Sequence, residues 1–223
     1  MSEQVLPFYL VCDESSSMQG PPLDAINQEL PRIYQEIASN PVVADKARLC
    51  LIGFSTHAEV LLPLADLNEI QSLSQLSPRG VTNYGTAFSL LRDTIERDIK
   101  ELKQAGHTPF RPTVFFLTDG QPTDDWHGDH QRLVDPAFGP HPTILAFGFG
   151  EVRPETLQKV ATFRAFIANG DVSPAQALRE FARQLLNSVV QSAVASSASP
   201  SSGALMVFPD QAKGYTVLPA EPV

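Results

Sequence analysis

Apolar residues along this chain fall into two alternating patterns, short unbroken runs and longer stretches marked at every third or fourth position. Leu6 to Cys12, Arg48 to Ser55, Pro112 to Thr118 and Thr143 to Gly150 are runs of the first kind, the pattern of strands buried on both faces. Leu23, Ile26, Leu30, Ile33 and Ile37 form one helical stripe, and Phe88, Leu91, Ile95, Ile99 and Leu102 form another. Pro31 falls inside the first stripe and predicts a kink or local break there. Ala58 to Leu62 follows the second run after only Thr56 and His57, so those two strands pair antiparallel. Short helices are expected over 66–73, 129–134 and 154–162, with a short strand at Arg164 to Ala168. Ser173 and Pro174 open a last helix as N-cap and first-turn proline, with Leu178, Phe181, Leu185 and Val189 apolar. The architecture predicted is α/β: a Rossmann-like, doubly wound, mostly parallel sheet with one antiparallel edge strand and helices on both faces.

Polar chemistry gathers where these strands end. The first buried run delivers Asp13-Glu14-Ser15-Ser16-Ser17, and ligands of an open parallel sheet bind beyond the carboxyl ends of its strands. One carboxylate and two hydroxyls suit a hard cation such as magnesium, which takes six oxygens and only one or two carboxylates. Three residues leave places to fill. The run ending at Thr118 delivers Asp119-Gly120, where glycine permits a sharp turn, and Thr82 presents a hydroxyl in the loop before the second striped helix.

Asp-x-Ser-x-Ser after the first strand, a threonine before a middle helix and Asp-Gly after the fourth strand together resemble the von Willebrand factor A domain, over about residues 5 to 190. The resemblance implies a metal-ion-dependent adhesion site made of Asp13, Ser15, Ser17, Thr82 and Asp119. It would hold Mg2+, with Mn2+ or Ca2+ as substitutes, and leave one place for the Asp or Glu carboxylate of a protein partner. Leu-Pro-Phe-Tyr-Leu-Val-Cys-Asp at the start, Pro-Leu-Asp-Ala-Ile-Asn in the first helix and Phe-Phe-Leu-Thr-Asp-Gly-Gln-Pro-Thr-Asp later look like bacterial TerY-type proteins. That likeness implies a tellurium-resistance or stress-response setting with kinase or phosphatase partners. Two positions depart from the family pattern, Ser16 and Val81, where glycine is common; a positive φ at either would strain the backbone.

The totals narrow the partners. The chain has 223 residues, 43% of them hydrophobic and 18% charged, with a net charge of -9. This argues against nucleic acid and against an anionic membrane as the main partner. The first residues carry no basic segment followed by an apolar core, and no apolar run approaches the length of a membrane span, so the expected location is cytoplasmic. Cys12 and Cys50 each sit inside an apolar run and are read as reduced, buried residues. Residues 1–195 are read as the domain, 196–203 as a Ser/Ala-rich linker, and 204–223 as a tail for which disorder, pairing at a sheet edge and partner binding all stand open.

Other readings compete with the metal site. Ser15 and Ser17 could cap the following helix, and Asp119 could simply make a turn. Asp124, Asp125, His127, Asp129 and His130 contain a histidine pair at zinc spacing, though the same composition describes a solvated loop. Trp126 beside them suits either a contact anchor or a satellite of the core. An enzyme alternative would use Asp13 in metal-dependent hydrolysis or phosphotransfer, with Glu14 as the only nearby base. Ser15 stands where an aspartyl phosphotransferase needs a second carboxylate, and neither a Gly-x-Ser-x-Gly elbow nor a Walker lysine is present. The expected function is therefore non-enzymatic binding.

Overall fold

The computed structural model describes residues 4–70, 72–170, 172–198 and 210–221. Strands β1 (Gln4–Asp13), β2 (Ala47–Phe54), β3 (Ala58–Asp66), β4 (Thr108–Pro109), β5 (Thr113–Thr118), β6 (Thr143–Gly148), β7 (Arg164–Ala168) and β8 (Tyr215–Pro219) form one sheet. Its order is β3-β2-β1-β5-β6-β7-β8, with the two-residue β4 against the start of β1. Helices α1 (Pro21–Ala38), α2 (Pro41–Ala44) and α6 (Pro174–Ala198) cover one face, and α3 (Tyr84–Gln104), α4 (His127–Val134) and α5 (Pro154–Val160) the other.

The unbroken apolar runs follow from this double cover. Leu6, Phe8, Leu10 and Cys12 of β1 enter the core under α1 and α6, while Tyr9 and Val11 enter the core under α3. Neither face meets water, so alternation disappears. Cys12 and Cys50 are free and buried, one in each core. From β2 through β7 the sheet is parallel along β2-β1-β5-β6-β7, and β2 and β3 form the expected antiparallel edge. A second antiparallel edge lies opposite, where β8 pairs with β7 from Ala168↔Tyr215 to Arg164↔Pro219.

Four details differ from the sequence-based expectation. α1 runs continuously through Pro31, an exposed residue whose missing N–H removes one helix hydrogen bond without ending the helix. β3 continues to Asp66, past Pro63, because two register shifts against β2 bulge the strand where proline would interrupt the ladder. The helix expected over 66–73 is absent among the described residues, which make a turn after Asp66. The expected linker begins inside α6, which extends to Ala198, and the remainder of it, with 205–208 of the tail, lies outside the described residues. Leu178 is in α6, but its side chain is likewise outside them. No helix among the described residues is long and apolar enough to cross a membrane.

Candidate metal centre

β1 and β5 are neighbours, so their carboxyl ends bring Asp13 and Asp119 to the same point of the sheet edge. Asp13 is fully buried. Its Oδ1 accepts the backbone N–H of Ser15 at 2.8 Å and its Oδ2 accepts the Thr118 hydroxyl at 2.6 Å. Beyond it, Ser17 Oγ donates to Asp119 Oδ1 at 2.7 Å. Ser17 has only that one proton, so across the 2.9 Å gap between the serine hydroxyls Ser15 Oγ is the donor. A chain of hydrogen bonds thus runs Ser15 to Ser17 to Asp119.

Thr82 arrives from a third direction. Its loop is held beside the first one by Ser16 N–H and Ser16 Oγ, which both donate to the Gly80 carbonyl at 3.1 and 2.8 Å. From the far side, Thr123 N–H donates to the Thr82 carbonyl at 2.8 Å. A β-carbon on Gly120 would lie 3.2 Å from Thr82 Oγ1 and 3.7 Å from Ser17 Oγ, so these two hydroxyls converge over Gly120. Among the described residues the Thr82 hydroxyl makes no hydrogen bond. The structure therefore brings together all five residues expected at the site, four directly linked and Thr82 facing them.

Gly80 supplies the left-handed turn of this loop at φ 62°, and no described non-glycine residue has a positive φ. Ser16 and Val81 are accommodated without the strain their departure from glycine raised. Burial raises the Asp13 carboxyl to a pKa of about 6, with the Asp119 charge adding to the rise. Burial likewise raises Asp119, and the Glu151 charge contributes. Among the described residues no cationic side chain hydrogen-bonds to either carboxylate. Two desolvated carboxylates held by neutral hydroxyls and backbone N–H groups fit a hard divalent cation, which would balance their charge.

Glu14, the candidate base of the enzyme alternative, is turned elsewhere. Its Oε1 accepts Ser77 N–H at 2.8 Å and its Oε2 pairs with Arg79 at 3.0 Å. Its side chain lies against Gly53, where a β-carbon would come within 2.2 Å of Oε2. It anchors the 77–79 loop and offers no free carboxylate to the cup.

The histidine cluster does not form a zinc site. Among the described residues no three His, Cys, Asp or Glu side chains gather to hold a metal ion. His130 turns inward and bonds the Val160 carbonyl at 2.9 Å, Asp129 pairs with Arg132, and exposed His127 meets Asp125 at 3.3 Å. Trp126 belongs to the core, among Tyr84, Phe88 and His130. Asp124 has a role its sequence position did not reveal: its two oxygens accept the first N–H groups of α3, Tyr84 at 2.9 Å and Gly85 at 2.8 Å. Thr118 was also missed as the orienting partner of Asp13. A hydroxyl immediately before Asp-Gly at a strand end is the signal that could have found it.

This fold and edge match a known family. The model of the von Willebrand factor type A domain matches residues 8–188. The chain belongs to that family. No curated protein matches it. Among solved structures, this von Willebrand factor type A domain is similar to proximal thread matrix protein 1 of the mussel byssus, in a form with a zinc-occupied MIDAS motif: TM-score 0.61, 17% identity, 85% of this chain and 48% of that one. It is also similar to the ArnB paralog VWA2 of Sulfolobus acidocaldarius, with TM-score 0.54, 20% identity, and 82% and 46% covered. A D319A mutant of the PilB minor pilin of Streptococcus sanguinis gives TM-score 0.59 and 13% identity, with 86% and 62% covered. The chain spans about half the length of the first two, and the likeness at such identities is one of fold.

Proposed function

We propose that this domain is a non-enzymatic, divalent-cation-dependent protein-binding module. Asp13, Ser15, Ser17, Thr82 and Asp119 hold magnesium, with manganese or calcium as substitutes, and a partner's Asp or Glu completes the coordination. The observation that carries this reading is the pair of buried carboxylates whose partners among the described residues are neutral hydroxyls and backbone N–H groups. An all-oxygen donor set favours magnesium over zinc, and the zinc-occupied motif of the mussel protein supports a divalent metal at such a site.

Each residue has a separate task. Ser15 N–H and the Thr118 hydroxyl orient Asp13, Ser17 orients Asp119, and the loop fixed by Gly80 and Thr123 presents Thr82. When bound, the cation supplies a Lewis-acidic position for a partner carboxylate. Two aspartates balance its charge and three hydroxyls add none, so that position keeps its pull on an anion. The setting of a bacterial stress-response or tellurium-resistance system in the cytoplasm, with kinase or phosphatase partners, rests on the TerY-like motifs alone.

The test is a pull-down from native cell extract in magnesium, in chelator, and with an Asp13→Ala, Asp119→Ala bait. A partner held only by the unaltered bait in magnesium is the expected result. A partner held equally in all three would overturn the reading.

A further inference from the structure

A cavity lies on the same edge of the sheet, at its far end. β7 and β8 meet there at Ala168↔Tyr215, and the turn before β8 is tied to the segment before α6 by Asn169 N–H donating to the Gly214 carbonyl at 2.8 Å. Gly214, at φ 80°, lets Val172 pack against the turn; a β-carbon would come within 2.9 Å of the valine. Between this turn and the first turns of α6 is a cavity of about 530 Å³, whose lining includes Gln176, Arg179, Arg183 and Lys213.

Charge at this cavity runs against the rest of the chain. Glu180, its one acid among the described residues, is fully engaged: its carboxylate accepts Arg183 at 2.8 and 2.6 Å, Gln184 at 2.6 Å and the Lys213 backbone N–H at 2.8 Å. That arrangement fixes Arg183 in place and offsets its charge. Arg179 and the Lys213 ammonium have no ion-pair or hydrogen-bond partner among the described residues. Among the described residues, two uncompensated positive charges thus flank a cavity in a protein of net charge -9.

We propose that this cavity binds a phosphate monoester dianion, with Arg179 and Lys213 as its charge partners and Arg183 as a fixed additional donor. A dianion matches the two free charges, whereas a single carboxylate would leave one unbalanced. Arginine also presents the planar donor fork suited to phosphate oxygens. The volume lies in the range of small-ligand sites, roughly 300–1,000 Å³, so there is room for the group that carries the phosphate. The cavity is four strands from β1, on the order of 19 Å at ordinary strand spacing, and is separate from the metal cup.

The experiment is a calorimetric titration in chelator, so that phosphate held through a metal is not counted, using inorganic phosphate, O-phosphoserine and a phosphoserine peptide. The unaltered protein should bind, and Arg179→Gln, Lys213→Gln should weaken binding by about tenfold or more per cation removed. Lys100→Gln, Lys103→Gln on α3 changes the net charge equally and should leave affinity unchanged. Tighter binding of the peptide than of O-phosphoserine identifies a phosphoprotein ligand, and equal binding a free phosphorylated metabolite. Absence of binding by all three probes, or equal loss in both double variants, would overturn the proposal.

Discussion

The cup of Asp13, Ser15, Ser17, Thr82 and Asp119 and the stretch from Asp124 to His130 are both rich in side chains of metal-ligand type and both lie beyond the carboxyl ends of the strands, yet only the cup gathers them. Its donors come from three separate places in the chain, the ends of β1 and β5 and the loop before α3. Adjacent parallel strands end about 4.8 Å apart, which makes their convergence a property of the sheet. The 124–130 donors come from one stretch, and each is already engaged by a different partner: Asp124 by the start of α3, Asp129 by Arg132, and His130 by the Val160 carbonyl. Proximity in sequence does not aim side chains at one point, whereas the convergence of donors from distant strand ends is the work of topology.

The sharpest way to break this comparison is Asp119→Ala. Magnesium affinity should fall by at least about a hundredfold, as expected on losing one of two charged ligands, while circular dichroism shows the fold retained. Calorimetry should show zinc affinity unaffected by His127→Ala. Unchanged magnesium affinity in Asp119→Ala would erase the distinction between the two regions.

Asp124→Ala should do the reverse, leaving two N–H groups of α3 without their acceptor. A cost of about 1–2 kcal/mol is expected from the size of capping effects, read as a lower urea midpoint. Magnesium affinity should change far less than in Asp119→Ala.

The smallest effect concerns His130. Burial lowers its pKa below the ordinary 6.5. The folded state therefore binds a proton less readily than the unfolded chain, and its contribution to stability is complete above pH 6.5 and lost as pH falls through the lowered folded value. Unfolding titrations between about pH 7 and pH 5 should show this decline, and His130→Leu should reduce its slope.

Much of the sheet was legible because β1, β5 and β6 are buried on both faces, and that environment writes continuous apolar runs. The edges were harder to read. Where β3 ends depends on bulges opposite Leu49 and Leu51 of β2, and β8 is specified by β7, 47 residues earlier at the Ala168↔Tyr215 pair. At the centre, strand ends marked Asp13 and Asp119, but the partners that orient them were visible only in three dimensions. Thr118 lies 105 residues from Asp13, and Ser17 lies 102 from Asp119. Glu14 misled for the same reason, since Ser77 and Arg79 are 63 and 65 residues away.

Cys12 and Cys50 sit on adjacent strands but enter opposite cores, and burial raises both thiols above their usual range. Each is inert to alkylation while its helical layer stays closed. The molecule thus carries two internal timers. Labelling of Cys12 reports the opening of the α1 and α6 layer, labelling of Cys50 reports that of the α3 layer, and the ratio of the two rates distinguishes one-sided breathing from global unfolding.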